Sequence, residues 1–254
     1  MAPDSIDVCV AQNAAVWHDP AASREAVRST LDSDAPTPGS VVTLPETFST
    51  GFTAEPSMAD DGTTTAFLRK IADDFDVHVI AGLVRTDTET GRGTNTAVVC
   101  SPSKGEVGSY DKVHLFPLDV EAETFRPGSR VDSVDLAGVR VTPLVCYDLR
   151  FPETWRRAVG SEVFVLIANW PSKRMHHWRA LLRARAIENQ AFVVGVNRAG
   201  TDPKITYTGG SVVFNPDGEV VAEAGKEPTL LKTSLDLASL RAFRERLPFL
   251  PQSV

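Results

Sequence analysis

Short apolar runs alternate with helical stretches along this chain, and that alternation narrows the fold class before any single residue is considered. Strands are expected near 5–12, 39–45, 77–84, 94–100, 139–146, 163–168, 191–197 and 210–215, with shorter ones near 107–111, 219–224 and 229–235. Helices fit Ala21–Leu31, Thr63–Phe75, Pro152–Val159, Met175–Gln190 and Leu237–Arg246. Within the fourth helix, Trp178, Leu181, Leu182 and Ile187 make an apolar stripe suited to core or subunit contact rather than to a cofactor. Asn215-Pro-Asp-Gly218 reads as a turn between two strands. Many strands interleaved with a few helices give an α/β class, and periodicity alone does not separate parallel layers from a sandwich.

No Ser/Gly/Pro-rich linker or shift of composition divides the 254 residues, so residues 1–254 are expected to form a single domain. With 42% apolar residues the chain can bury a sizeable core. The net charge of −7 and the scattered cations make nucleic acid a poor partner. Met1-Ala-Pro-Asp-Ser-Ile has neither a basic start nor an apolar stretch after it, and no run approaches the ~20 apolar residues of a membrane helix. A cytoplasmic location is the expectation, with no membrane partner.

Three cysteines, an odd number without CxxC spacing, argue against a disulfide framework and against structural zinc. Cys9 and Cys100 each lie in an apolar strand, where a free thiol behaves as a small hydrophobe. Cys146 differs. It ends the run Val139-Arg-Val-Thr-Pro-Leu-Val-Cys146 and is followed at once by Tyr-Asp-Leu-Arg-Phe-Pro-Glu153, a strand-to-helix elbow that pushes the sulfur out of the sheet and leaves the N–H of Tyr147 free. Two upstream segments are also chemically loaded: Leu-Pro-Glu46-Thr-Phe-Ser-Thr-Gly-Phe52 and Tyr-Asp-Lys112-Val-His-Leu-Phe116. A carboxylate, an ammonium and a thiol, each leaving an apolar stretch, suggest one site.

Together these three contexts resemble the nitrilase, or carbon–nitrogen hydrolase, superfamily, whose triad is Glu-Lys-Cys; the resemblance runs from about Ile6 to Val221. Leu-Pro-Glu46-Thr-Phe-Ser-Thr-Gly-Phe52 and Ala168-Asn-Trp-Pro171 look most like the ω-amidase branch, which hydrolyses 2-oxo-dicarboxylic acid monoamides. The resemblance implies a four-layer αββα sandwich. It implies Cys146 as nucleophile and Glu46 as the base that takes the thiol proton, gives it to leaving ammonia and then activates water. Glu121, by its spacing before Pro127-Gly128, matches the family's second glutamate, with Glu123 as the rival.

That assignment fits what an amide requires: a strong nucleophile, a stabilised oxyanion and an acid for a poor leaving group. Only the thiolate attacks, and a thiol of ordinary pKa ~8.5 needs a base or a cation beside it. Glu46 in that dual role calls for a poorly solvated pocket, with Leu44-Pro45 and Phe48 as its wall. Lys112, a point charge, suits the oxyanion together with the backbone N–H of Tyr147. Phe52, Tyr147, Asn169, Trp170 and Arg150 are the candidates for contact with the substrate. Arg150, Lys173, Arg174 and Arg198 are available donors for a distal 2-oxo acid, although Arg150 reads equally as an ion pair behind the elbow with Glu153 or Asp148.

No cofactor or metal is expected: there is no GxGxxG after a strand, no Walker loop and no HExxH, and His176-His177 lacks a third ligand. His114 is expected to pack beside the Lys112 loop. The activities that stay open are hydrolysis of a small amide such as 2-oxoglutaramate, hydrolysis of a nitrile, N-carbamoyl or other small-amide substrate, and a catalytically silent binding role on the same fold. The resemblance also implies a homodimer, with segments 152–159 and 175–190 as its surface and Trp155 and Trp178 as aromatic anchors.

Overall fold

The alternation of residues along the first strand sends Ile6, Val8 and Val10 to one face and Cys9 and Ala11 to the other, and both faces are buried. This computed structural model describes residues 2–53, 55–118 and 121–250. In chain order its strands are β1 (Ser5–Gln12), β2 (Val41–Thr43), β3 (His78–Thr86), β4 (Gly93–Ser101), β5 (Gly105–Asp111), β6 (Val134–Leu136), β7 (Val139–Val145), β8 (Val163–Ala168), β9 (Phe192–Asn197), β10 (Ala199–Thr201), β11 (Thr206–Thr208), β12 (Val212–Phe214), β13 (Val220–Glu223) and β14 (Thr229–Asp236). The helices are α1 (Pro20–Ser33), α2 (Thr63–Phe75), α3 (Glu121–Thr124), α4 (Pro152–Arg156), α5 (Met175–Asn189) and α6 (Leu237–Arg246).

Two six-stranded sheets form among the described residues, in the orders β14-β1-β2-β3-β4-β5 and β13-β12-β9-β8-β7-β6. Each has three neighbouring parallel strands, β1-β2-β3 in one and β7-β8-β9 in the other, flanked by antiparallel partners. The inner faces meet in one core that joins Val8, Ile80 and Val99 of the first sheet to Leu144, Val165 and Val194 of the second. Val27 and Leu31 of α1 and Leu68 and Ile71 of α2 cover the outer face of the first sheet. Burying each such side chain stabilises the fold by about 1.5–3 kcal/mol. On the second sheet α5 lies so close to β9 that a β-carbon at Gly195 would stand 2.4 Å from Leu182 Cδ1. The result is the four-layer αββα sandwich. No helix is long and apolar enough to cross a membrane among the described residues.

Several element boundaries depart from the sequence reading for local reasons. α1 starts at Pro20 because Asp19 caps it through Ala22 N at 2.9 Å, and proline is tolerated at the first helical position. β2 is only three residues long; beyond Thr43 the chain bends away to present Glu46, held by Leu44 N on Ile80 O at 2.8 Å. α4 stops at Arg156 rather than running to residue 159, in turns that lead into Gly160 at φ 89°.

The stripe on α5 is also revised. Trp178, Leu182, Arg185, Ala186 and Asn189 form the buried face, whereas Ile187 is 49% exposed, because nine residues at 100° per residue place it on the side opposite Trp178. Trp155 and Trp178 are buried inside the chain, at 0% and 1% exposure, so they do not serve as anchors for a second subunit. Trp155 packs on Phe164 with ring centroids 5.0 Å apart, and Trp178 donates its indole N–H to Gly210 O at 2.9 Å.

Candidate active site

The carboxyl ends of the parallel strands from both sheets open toward one another, the usual place for a site in sheets of this kind. Glu46 follows β2 in a bend that β3 holds on both sides, through Gly82 N on Pro45 O at 3.1 Å and Phe48 N on Gly82 O at 3.2 Å. Thr47 next to it sits at φ 41°. For a β-branched residue that is a strained backbone, as functional sites often hold. Leu44 and Phe48, expected to wall the carboxylate, are buried instead in the cluster that faces α1 and α2, and the Glu46 side chain has no solvent exposure.

Lys112 leaves β5 with its N–H on Asn95 O at 2.8 Å. Its side chain is fully buried, and Nζ donates to Glu46 Oε1 at 2.9 Å and to both oxygens of Glu121 at 3.0 Å. Glu121, on the one-turn helix α3, also accepts Phe116 N at 2.7 Å. Glu123, two residues on, is exposed. Asn95 Nδ2 donates to Glu46 Oε1 at 2.7 Å and to Glu121 Oε1 at 2.8 Å. From the other sheet Asn169, at the end of β8, gives its backbone N–H to Glu46 Oε2 at 2.8 Å and its amide to Thr47 Oγ1 at 2.9 Å.

Cys146 ends β7 at φ 43°, a second left-handed non-glycine, and opens a 3₁₀ turn over Cys146–Arg150. The buried carboxylate of Asp148 locks this elbow by accepting Val145 N at 3.2 Å, Tyr110 Oη–H at 2.8 Å and His114 N at 2.9 Å. His114 stacks on Phe151 with centroids 3.6 Å apart, beside the Lys112 loop as expected. Cys146 is half-buried.

Electrostatics follow from two carboxylates sharing one ammonium. Burial pushes the Cys146 thiol well above its ordinary value, the charge of Glu46 pushes it further, and Lys112 only partly opposes them. Burial works against the Lys112 charge, yet Glu121 and Glu46 outweigh it and raise its pKa, so the ammonium persists. The resting arrangement is therefore a neutral thiol beside a persistent ammonium.

A narrow cavity of ≈ 40 Å³ reaches Cys146 and Lys112 between the rings of Phe52, Phe116, Tyr147 and Trp170. Arg150 and Arg174 line it too. Arg150 lies over Trp170 at 4.9 Å and Tyr147 at 5.9 Å, and Arg174 over Phe116 at 5.5 Å. A larger hollow of ≈ 370 Å³ beside Arg24, Asp60 and Asp61 holds no thiol, imidazole or lysine. Size alone would point to the wrong place.

Residues 8–245 match the family described as carbon-nitrogen hydrolase. The chain belongs to the carbon–nitrogen hydrolase family. The omega-amidase YafV of Escherichia coli strain K12 is 41% identical over 213 residues, 82% of either chain. The 2-oxoglutaramate amidase of Bacillus subtilis strain 168 is 35% identical over 216 residues, again 82% of either chain. Among solved structures, XC1258 from Xanthomonas campestris, a CN-hydrolase superfamily protein with an arsenic adduct in its active site, superposes with a TM-score of 0.89 at 32% identity, covering 96% of this chain and 95% of that one. A mutant of the amidase from Nesterenkonia sp. AN1, with acrylamide joined to its active-site cysteine by Michael addition, gives 0.81 at 25% identity, over 96% and 98% of the two chains.

In this carbon–nitrogen hydrolase the residues singled out in the sequence come together: Glu46, Lys112, Glu121 and Cys146 within one buried cluster, and Phe52, Tyr147, Arg150, Asn169 and Trp170 around its cavity. Arg150 makes no ion pair with Glu153 or Asp148; its contact is His177 Nδ1 at 3.3 Å. Lys173 is not part of the cavity wall, and Arg198 is buried behind Tyr207, 4.3 Å above that ring. The sequence reading missed Asn95, and it missed Ile205 and Tyr207, which a small hairpin of β10 and β11 brings to the wall. Asparagine is disfavoured inside an apolar strand, and that was the available signal for Asn95.

Proposed function

We propose that this protein hydrolyses the amide of a small 2-oxo-dicarboxylic acid monoamide, such as 2-oxoglutaramate, through a cysteinyl thioester. One observation carries the reading: the cavity that ends on Cys146 and Lys112, the lysine paired behind it with Glu46, has two guanidiniums in its wall, Arg150 and Arg174, and neither forms an ion pair among the described residues. A neutral amide suits the inner end, where two carboxylates already outnumber one ammonium. An anionic far end suits the arginines, whose planar forks match a carboxylate. The names of the relatives point the same way.

In this reading the thiol proton passes to Glu46 as the sulfur attacks the amide carbon. The oxyanion forms against Lys112 and the N–H of Tyr147, which lies in the first turn of a helix where backbone donors lack intrahelical partners. Collapse breaks the C–N bond, and Glu46 returns the proton to the nitrogen, so ammonia leaves. Water then gives a proton to Glu46 and attacks the thioester; the C–S bond breaks and the thiol is restored. Glu121 keeps Lys112 charged and aimed.

The test is ammonia release from a panel of 2-oxo acid monoamides, uncharged amides, nitriles and N-carbamoyl compounds. Preference for the monoamides supports the reading. Turnover confined to nitriles or carbamoyl compounds reassigns the substrate, and no turnover with no acyl adduct by intact mass supports a silent binding protein. Assembly belongs to the same proposal. With both tryptophans inside the chain, the outward side of α5, where Ile187 is exposed, is the surface for a homodimer, and sedimentation velocity should then show about twice the 27.5 kDa chain mass.

A further inference from the structure

Two buried carboxylates with one lysine between them need a second donor that no change of pH can remove. Glu46 Oε1 and Glu121 Oε1 both accept from Lys112 Nζ, at 2.9 and 3.0 Å, and both accept from the single amide nitrogen of Asn95, at 2.7 and 2.8 Å. Like charges brought this close either take up a proton or turn apart unless donors hold them. Asn95 is 1% exposed, and its Oδ1 has no hydrogen-bond partner among the described residues. A buried acceptor left empty is costly, so the fold retains this amide for its two N–H groups. The same residue also receives Lys112 N on its carbonyl at 2.8 Å, so one position in β4 ties the lysine and both glutamates to the sheet.

We propose that Asn95 is a positioning residue for proton transfer: it clamps Oε1 of Glu46 beside Glu121 and so leaves Oε2 as the oxygen that exchanges a proton with Cys146. Oε2 is held from the other sheet by Asn169 N at 2.8 Å and by Asn169 Nδ2 at 3.3 Å, contacts that orient it without a titratable donor. The inference rests on the reading of Glu46 as base.

Asn95→Asp keeps the shape, replaces both donors by acceptors and sets a third acid beside Glu46, Glu121 and Lys112. A third acid in the cluster favours a proton staying there, and a cluster that already holds one cannot accept the thiol's. The acid limb of kcat/KM should therefore move to higher pH, and kcat should fall by on the order of 100-fold, as for loss of a preorganised polar contact, with KM within about threefold. Asn95→Ala should lower kcat with a smaller displacement of the limb. A purely structural asparagine would lower the yield of folded protein and leave the limb in place.

A second readout needs no substrate: the thiolate absorbance that disappears on Cys146→Ala, followed against pH. Its midpoint should be higher in Asn95→Asp than in the wild type. Wild-type protein inactive on every amide, with this displacement still present, would remove the proposed reaction and leave the clamp standing. Wild-type protein that is active while both Asn95 variants keep its acid limb, its thiol midpoint and kcat within about twofold would overturn the clamp alone.

Discussion

A β-carbon on Gly82 would stand 2.5 Å from Glu46 Cα and 2.6 Å from Thr47 N. β3 therefore runs against the backbone of the carboxylate's own bend, at a distance only glycine allows. Overpacking of this kind costs about 1–3 kcal/mol, so Gly82→Ala should lose that much stability in chemical denaturation. Ammonia release per folded molecule should fall as well, because the bend must shift. Undiminished turnover in a stable Gly82→Ala protein would show that the contact does not position Glu46.

Cys146→Ala should abolish turnover and leave the fold intact, and Cys146→Ser should fare nearly as badly. Its backbone at φ 43° adds a second expectation: Cys146→Gly, freed of the left-handed penalty, should be more stable than Cys146→Ala by about 1 kcal/mol. Cys9→Ala and Cys100→Ala should act through small cavities alone, at about 1 kcal/mol each. Residual activity above a few per cent of wild type in either Cys146→Ala or Cys146→Ser, measured on protein free of wild-type carry-over, would exclude this thiol as nucleophile.

Neutralising the base should ionise the thiol more easily. Burial is the first cause of the raised Cys146 pKa and the Glu46 charge the second, with Lys112 opposing. Glu46→Gln removes an anion that disfavours thiolate, so the Cys146-dependent absorbance should appear at lower pH even as turnover is lost. Lys112→Ala has the reverse sign: the midpoint should rise, and the rate should drop by about 10²–10³ for one lost oxyanion donor. An upward displacement in Glu46→Gln would contradict this electrostatic arrangement.

Arg150→Met and Arg174→Met separate recognition from chemistry. A charge-assisted hydrogen bond contributes about 1.5–3 kcal/mol, so kcat/KM on a 2-oxo acid monoamide should fall by roughly 10- to 100-fold in either variant. An uncharged amide of similar size should be affected far less. Equal losses on both substrates would assign the arginines to holding the aromatic walls instead.

The elbow at Cys146 and the segments around Glu46 and Lys112 were legible because each is a local break: an apolar run stops and polar residues follow at once. The resemblance built on those breaks also led to the four layers, which strand periodicity could not separate, since β1, β3 and β4 are buried on both faces. What local pattern could not show is distance. Asn95 lies in the middle of a strand and gains its role only because β4 faces both glutamates. The two tryptophans look like surface anchors until α4 and α5 are docked, and Ile187 joins the stripe on a count of apolar residues but not on helical angle.

Glu46 and Lys112 belong to one sheet, Cys146 and Asn169 to the other, and the bond from Asn169 N to Glu46 Oε2 crosses the seam. Neither half carries the chemistry by itself. A chain still being synthesised has Glu46, Lys112 and Glu121 before it has Cys146, and a chain whose sheets have parted separates the thiol from all three. On the proposed mechanism, turnover therefore reports closure of the seam between the sheets, since thiol and carboxylate meet only there.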